Sequence, residues 1–158
     1  MKILTIGTNG FLGSWVNKLL QSEHSNFEIL EIPGKEECDL TEFSEISNYL
    51  KEKSPDVVIN CAAFVGGISY GYKYPVEMLS KNSLMAMNIY KASYDNGVKK
   101  LINPISNCAY PAEFTTYKEE DIFNGPPDKS VFNYALSKRL FIQLGQAYFD
   151  QYTFSSAN

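Results

Sequence analysis

The chain has 158 residues, 44% hydrophobic and 20% charged, enough for one domain with a real core and too few for two of ordinary size. Those proportions exclude collagen-like, coiled-coil and disordered classes. Lys and Arg number 14 against 18 Asp and Glu, for a net charge of -4. With no basic run longer than Lys99-Lys100, nucleic acid is not the expected partner.

No apolar run reaches the roughly 18 residues that cross a bilayer, and the opening run meets Gly7 too early for a secretion signal. A cytoplasmic protein with no membrane partner is expected. Cys38, Cys61 and Cys108 are odd in number and lack a Cys-x-x-Cys pair, so reduced thiols and no metal site are expected. The one histidine, His24, falls where a helix ends and is read as a solvated turn residue.

Lys2 to Ile6 reads as a strand, and Phe11, Leu12, Trp15, Val16, Leu19 and Leu20 recur at helical spacing. Phe27 to Ile32 is a second strand closed by Pro33-Gly34, and Thr41 is a plausible cap for a helix carrying Phe43, Ile46 and Leu50. Val57-Val58-Ile59 reads as a strand buried on both faces.

After a Gly- and Tyr-rich loop from Gly66 to Pro75, Val76, Leu79, Leu84, Met87, Ile89 and Tyr90 mark a long helix ending at Asn96-Gly97. Lys100 to Ile105 is strand four, and a long loop, Asn107 to Ser130, precedes a helix bearing Tyr134, Leu136, Leu140, Phe141, Leu144 and Tyr148. This alternation predicts an α/β fold, a doubly wound parallel sheet with ligands at the carboxyl ends of its strands. The tail from Tyr152 to Asn158 reads as one more strand. A parallel sheet that stops there lacks cover, so residues 1–158 are read as one doubly wound, Rossmann-like domain incomplete at its C-terminal end.

Gly7-Thr8-Asn9-Gly10-Phe11-Leu12-Gly13 follows the first strand and opens the first helix. There, glycines permit close backbone approach and a helix N-terminus can face a pyrophosphate. Near the end of strand two, Glu31 would favour NAD and Lys35 NADP. Asp39-Leu40 could meet the adenine edge or serve a helix cap.

Tyr134 and Lys138 stand at i and i+4 on one helix face. A lysine there can stabilise a phenolate and make the phenol a usable acid or base. The pair alone is a weak signal among 11 tyrosines, and Tyr49 with Lys53 forms another that reads as ordinary surface. Context separates them, because Ser106 falls at the end of strand four, on the sheet edge where the glycine loop lies, and would complete a Ser-Tyr-Lys set. Cys108 by residue type alone is a structural cysteine more often than a base.

Five segments together resemble the extended short-chain dehydrogenase/reductases that act on nucleotide sugars, and within them the GDP-L-fucose synthase group of epimerase/reductases. They are Gly7 to Gly13, Asn60-Cys61-Ala62-Ala63-Phe64-Val65-Gly66-Gly67-Ile68, Ser106-Asn107-Cys108-Ala109-Tyr110-Pro111, Asn124-Gly125-Pro126-Pro127, and Tyr134 to Arg139. The second, third and fourth are the most specific.

The resemblance implies that Tyr134 donates a proton as a nicotinamide cofactor, NADP(H) by preference and NAD(H) as the alternative, reduces a sugar C4 ketone. Lys138 would hold the nicotinamide ribose and Ser106 the C4 oxygen, and Cys108 would be the base that epimerises C3 and C5. Gly7, Asn9, Gly10, Phe11, Leu12, Gly13, Lys35, Asp39, Leu40, Ala62, Ala63 and Lys138 would bind the cofactor. Val65, Gly66, Gly67, Ser106 and Tyr134 would bind the nucleotide sugar.

It further implies a homodimer through helices 76–96 and 131–150. Family members run to about twice this length, their later segment supplying a substrate domain and the histidine acid that partners the cysteine. Other readings of the same residues are a 4-reductase or epimerase of another nucleotide sugar, such as a deoxyheptose, and a non-catalytic dinucleotide-binding module.

Overall fold

Five parallel strands lie in the order β2-β1-β3-β4-β5. A computed structural model describes residues 1–24 and 26–158. The elements are β1 (Lys2–Ile6), α1 (Phe11–Glu23), β2 (Glu28–Ile32), α2 (Phe43–Lys53), β3 (Val57–Asn60), α3 (Ile68–Lys73), α4 (Pro75–Asp95), β4 (Lys100–Ile102), α5 (Phe132–Tyr152) and β5 (Ser156–Ala157). From β1 the chain moves one way to β2 and then returns across β1 to β3. Right-handed crossovers therefore put α1 on one face and α2, α4 and α5 on the other, where α4 packs on both α2 and α5. The connections part between β1 and β3, opening a crevice at the strands' carboxyl ends.

The core fills the three-helix face. Leu4, Ile6, Val58 and Leu101 meet Ile46, Leu50, Ala86, Ile89, Tyr90 and Phe141 there, each large apolar side chain contributing about 2 kcal/mol by leaving water. The other face is covered by α1 over β1 and β2. Val57 and Ile59 are consequently half-buried, so β3 is not enclosed on both faces as its β-branched run suggests; β1 is the strand with both faces buried.

Helix α1 also turns a different side inward than its apolar spacing suggests. It buries Gly13 and Asn17 and leaves Phe11, Leu12, Trp15 and Leu19 exposed. The cause is local: Gly13 fits against the glycine loop, and the Asn17 amide donates to Glu31 at 2.8 Å. In α4 the buried side carries Met78, Asn82, Met85 and Ala86 besides Ile89 and Tyr90, while Val76, Leu84 and Met87 face outward.

Three boundaries move. Strand β4 ends at Ile102, leaving Ser106 to cap a 3-10 turn, Asn107–Ala109, four residues beyond it. Thr41 does not cap α2; its hydroxyl donates to Asp39 at 2.7 Å, and Glu42 holds the cap position without a side-chain bond. The Gly- and Tyr-rich stretch read as loop contains α3. The tail does form a strand, pairing in parallel with β4. Among the described residues no helix is long and apolar enough to cross a membrane.

Candidate dinucleotide pocket and active site

At the end of β1, Gly7 takes φ +84, a conformation that strains residues with a Cβ. Its N–H donates to the Ile32 carbonyl at 2.7 Å, and a Cβ there would lie 2.9 Å from the Ala62 nitrogen. A Cβ on Gly13 would overlap the Gly7 carbonyl. Gly10 caps α1, whose first turn carries no acidic side chain. The Ser14 N–H bonds back to Gly10, so the amides before it stay free of helical acceptors at the positive end of the helix dipole.

Gly10, Phe11 and Leu12 at this helix end line a pocket of about 620 Å³, a size suited to a cofactor. Gly7, Gly10, Phe11 and Leu12 form one wall, and Lys35, Asp39 and Leu40 one end. Ala62, Ala63 and Val65 line the β3 side, and Ser106, Tyr134 and Lys138 close the other end. Two loop residues stand off it. Asn9 is exposed at the loop tip, and Gly13 lies behind the loop, where its missing side chain serves helix packing.

Glu31 is turned away from the pocket. Its carboxylate accepts from Thr8 Oγ1 at 3.1 Å and from Asn17, so it braces the glycine loop from beneath. Lys35 sits at the pocket's β2 end, paired with Asp39 at 2.8 Å. Hydrogen bonds from Lys35 and Thr41 hold the Asp39 carboxyl down to about 2. The group presented there is thus a cation with a paired carboxylate.

At the β4 end, the Ser106 Oγ accepts from the Cys108 N–H at 3.3 Å, which aims both side chains off one turn. Tyr134 and Lys138 come from α5. Lys138 Nζ lies 5.7 Å from the Tyr134 ring centroid. Lys138 is only 6% exposed, and burial lowers its pKa, opposed by the nearby Cys61. Burial, with Cys108 nearby, raises the pKa of Tyr134. The lowering of the phenol that Tyr–Lys spacing suggests is absent here, since burial and Cys108 both push it up.

A second pocket of about 380 Å³ adjoins the first across Val65 and Tyr134, and is lined by Gly66, Gly67 and Cys108 among others. Gly66 is required by the protein itself, since a Cβ would lie 2.7 Å from the Tyr70 ring. Gly67 faces open space, with nothing within 4 Å of where a Cβ would lie.

Two side chains within the motif segments, given no role by the sequence, hold the site together. Arg139 Nε donates to the Ala109 carbonyl at 2.7 Å and Nη2 to the Gly125 carbonyl at 2.8 Å, clamping the Cys108 turn and the Asn124–Pro127 loop onto α5. Asn60 accepts from the Ala62 N–H and donates to Asn103, fixing the pocket's β3 side. A buried Asn at the end of an apolar strand is a signal, but only pairing with β4 says what it binds.

The fold and this pocket define a dinucleotide-binding module of the doubly wound class. A nicotinamide dinucleotide fits what is present: a pocket at the N-terminus of α1, held open by a tight glycine turn, and an ammonium, Lys138, nine-tenths buried and without a protein hydrogen bond among the described residues. Residues 3–158 match the NAD dependent epimerase/dehydratase family, and the chain belongs to that family. It is 36% identical over 139 residues to a GDP-L-colitose synthase of Yersinia pseudotuberculosis, covering 87% of this chain and 44% of the relative. It is 33% identical over 144 residues to a GDP-L-fucose synthase of Azorhizobium caulinodans, covering 90% and 45%. A GDP-L-fucose synthetase of Naegleria fowleri bound to NADP superposes with a TM-score of 0.86 at 29% identity, covering 99% of this chain and 47% of that one. The chain thus spans about half the length of these relatives.

Proposed function

We propose that this chain is the cofactor-binding and catalytic part of an NADP(H)-dependent nucleotide-sugar epimerase/reductase. Its substrate would be a GDP-linked 4-keto-6-deoxy sugar, epimerised beside the C4 ketone and then reduced at C4. One observation carries the reading: Tyr134 stands in the wall shared by two pockets, with Ser106 and Lys138 on the larger side and Cys108 on the smaller. Kinship to relatives named GDP-L-colitose and GDP-L-fucose synthase supports the choice of sugar nucleotide.

The dinucleotide, when bound, supplies the hydride for C4. The Ser106 hydroxyl donates a hydrogen bond to the C4 oxygen, and Tyr134, kept protonated by burial, gives that oxygen its proton as negative charge develops. Lys138 is placed to hold ribose hydroxyls and to stabilise the phenolate left behind. The Cys108 thiolate would remove the proton from the carbon beside the ketone, whose enolate takes up a proton on the opposite face from an acid. Lys35 at the adenine end favours NADP(H) through the 2′-phosphate.

The protein is further proposed to work in the cytoplasm, as a homodimer through α4 and α5. Their exposed Val76, Leu84, Met87, Tyr94, Phe149 and Tyr152 support that interface. Product analysis with GDP-4-keto-6-deoxymannose and NADPH tests the chemistry. Tyr134→Phe is expected to lower reduction about 1000-fold while carbon-bound proton exchange continues. Cys108→Ser is expected to abolish exchange and spare reduction of a pre-epimerised ketone. Loss of both steps together in a folded Cys108→Ser variant would sink the role given to the thiol.

A further inference from the structure

On the wall of the large pocket stands a cation that belongs to no motif. Lys81, on α4, lines the pocket with Phe64, its Nζ 4.4 Å from the centroid of the Phe64 ring. Among the described residues it enters no ion pair. The carboxylate on the pocket wall, Asp39, is already paired with Lys35.

The ring that seats Lys81 is itself fixed. The Phe64 N–H donates to Asn82 Oδ1 at 2.9 Å, and its carbonyl accepts from Asn82 Nδ2 at 2.8 Å. Asn82 is buried and anchored to the Met78 carbonyl, and the Tyr70 ring meets Phe64 edge-on. The ammonium is therefore held over the pocket before any ligand arrives. A cation resting on a ring is bound more weakly than one donating to a phosphate oxygen, so a phosphate within reach would take it.

A dinucleotide running from Lys35 to Tyr134 places its pyrophosphate midway, at the N-terminus of α1. Gly10, Phe11 and Leu12 form that wall, and Lys81 belongs to the same pocket from the α4 side. We propose that Lys81 binds the dinucleotide pyrophosphate, closing on it against the free amides of α1. This rests on the dinucleotide reading above and adds the group that neutralises the phosphate charge, which main-chain amides alone do not.

Titrations by nicotinamide fluorescence and calorimetry, at two salt concentrations, test it with three probes: NADPH, adenosine 2′-monophosphate and GDP. Lys81→Met is expected to weaken NADPH about tenfold, the size of one charge-assisted hydrogen bond, with a smaller loss at high salt. Lys81→Arg should restore most of the affinity. Adenosine 2′-monophosphate, which has no pyrophosphate, should bind Lys81→Met as it binds the unaltered protein and should weaken in Lys35→Met. Unchanged NADPH affinity in Lys81→Met overturns the assignment. So does an equal loss for NADPH and adenosine 2′-monophosphate, which would mean the pocket wall had moved, and so does a loss confined to GDP. If the unaltered chain binds no NADPH, the dinucleotide reading falls, and Lys81 with it.

Discussion

At the β1 end of the pocket the ligand-facing groups are main chain: the amides of α1 behind Gly10, and the turn at Gly7 pressed against Ala62. At the β4 end they are side chains brought from separate places, Ser106 from a turn that carries Cys108 into the adjoining pocket, and Tyr134 and Lys138 from α5. The first end is rigid because its atoms have no rotamers and its glycines admit no substitute. The second depends on clamps such as Arg139, and it carries buried groups whose protonation burial has shifted. Backbone construction gives generic anion binding; side-chain construction gives chemistry, at a cost in desolvation.

The largest effect should come from the backbone end. Gly13→Ala forces a Cβ into the Gly7 carbonyl, and urea unfolding should show a loss of about 3 kcal/mol. A variant as stable as the parent would mean the loop is free to shift and the rigidity assigned to it is absent.

Next comes the clamp at the opposite end. Arg139→Ala removes two charge-assisted bonds to carbonyls; a loss of about 2 kcal/mol is expected. Cys108 should also alkylate faster with iodoacetamide, because its turn is no longer held to α5. Unchanged alkylation would show that the Ser106 cap alone sets the turn.

A smaller effect of opposite sign is expected from Lys138→Met. Burial lowers the lysine's pKa below 10.5 in the folded state, so the penalty on folding is full below the folded value, pH 7 included, and is relieved as pH rises from there to the unfolded value. The ligand-free variant should therefore be more stable at pH 7 by about 1 kcal/mol. That gain should vanish above pH ~11, where the lysine is neutral in both states, while NADPH binding is lost. A less stable variant at pH 7 would show the ammonium has a partner in the free protein.

The smallest effect belongs to Asp39, whose carboxylate pairs with the exposed ammonium of Lys35. Its pKa is lowered from 3.8 to about 2, so its contribution is present above the unfolded value and is lost as pH falls through that interval. Asp39→Asn should cost less than about 1 kcal/mol at pH 7 and nothing below pH 2, read from melting temperatures across the acid range. The same variant frees Lys35, which sharpens the NADPH-over-NADH comparison.

Glycine spacing after a strand, the Tyr134–Lys138 interval and the strand–helix alternation were legible because each is a local rule: a period, a turn, a cap. The face of α1 was not. Phe11, Leu12, Trp15 and Leu19 have helical spacing but remain exposed, because Gly13 and Asn17 settle against the loop and Glu31. Glu31 shows the same limit. It stands near the end of β2 as a ribose-binding acid would, yet Thr8 and Asn17 capture it.

By itself, the sequence determined the fold class, the glycine turn after β1 and the family the chain belongs to, because residue type and short spacing specify backbone conformation and motif. Tertiary structure alone decided that Lys35 rather than Glu31 faces the pocket, that Tyr134 joins two cavities, and that Lys81 lines the larger one from α4. Those outcomes depend on which side of an element faces inward and on which long side chain finds a partner first. Packing against distant residues sets both.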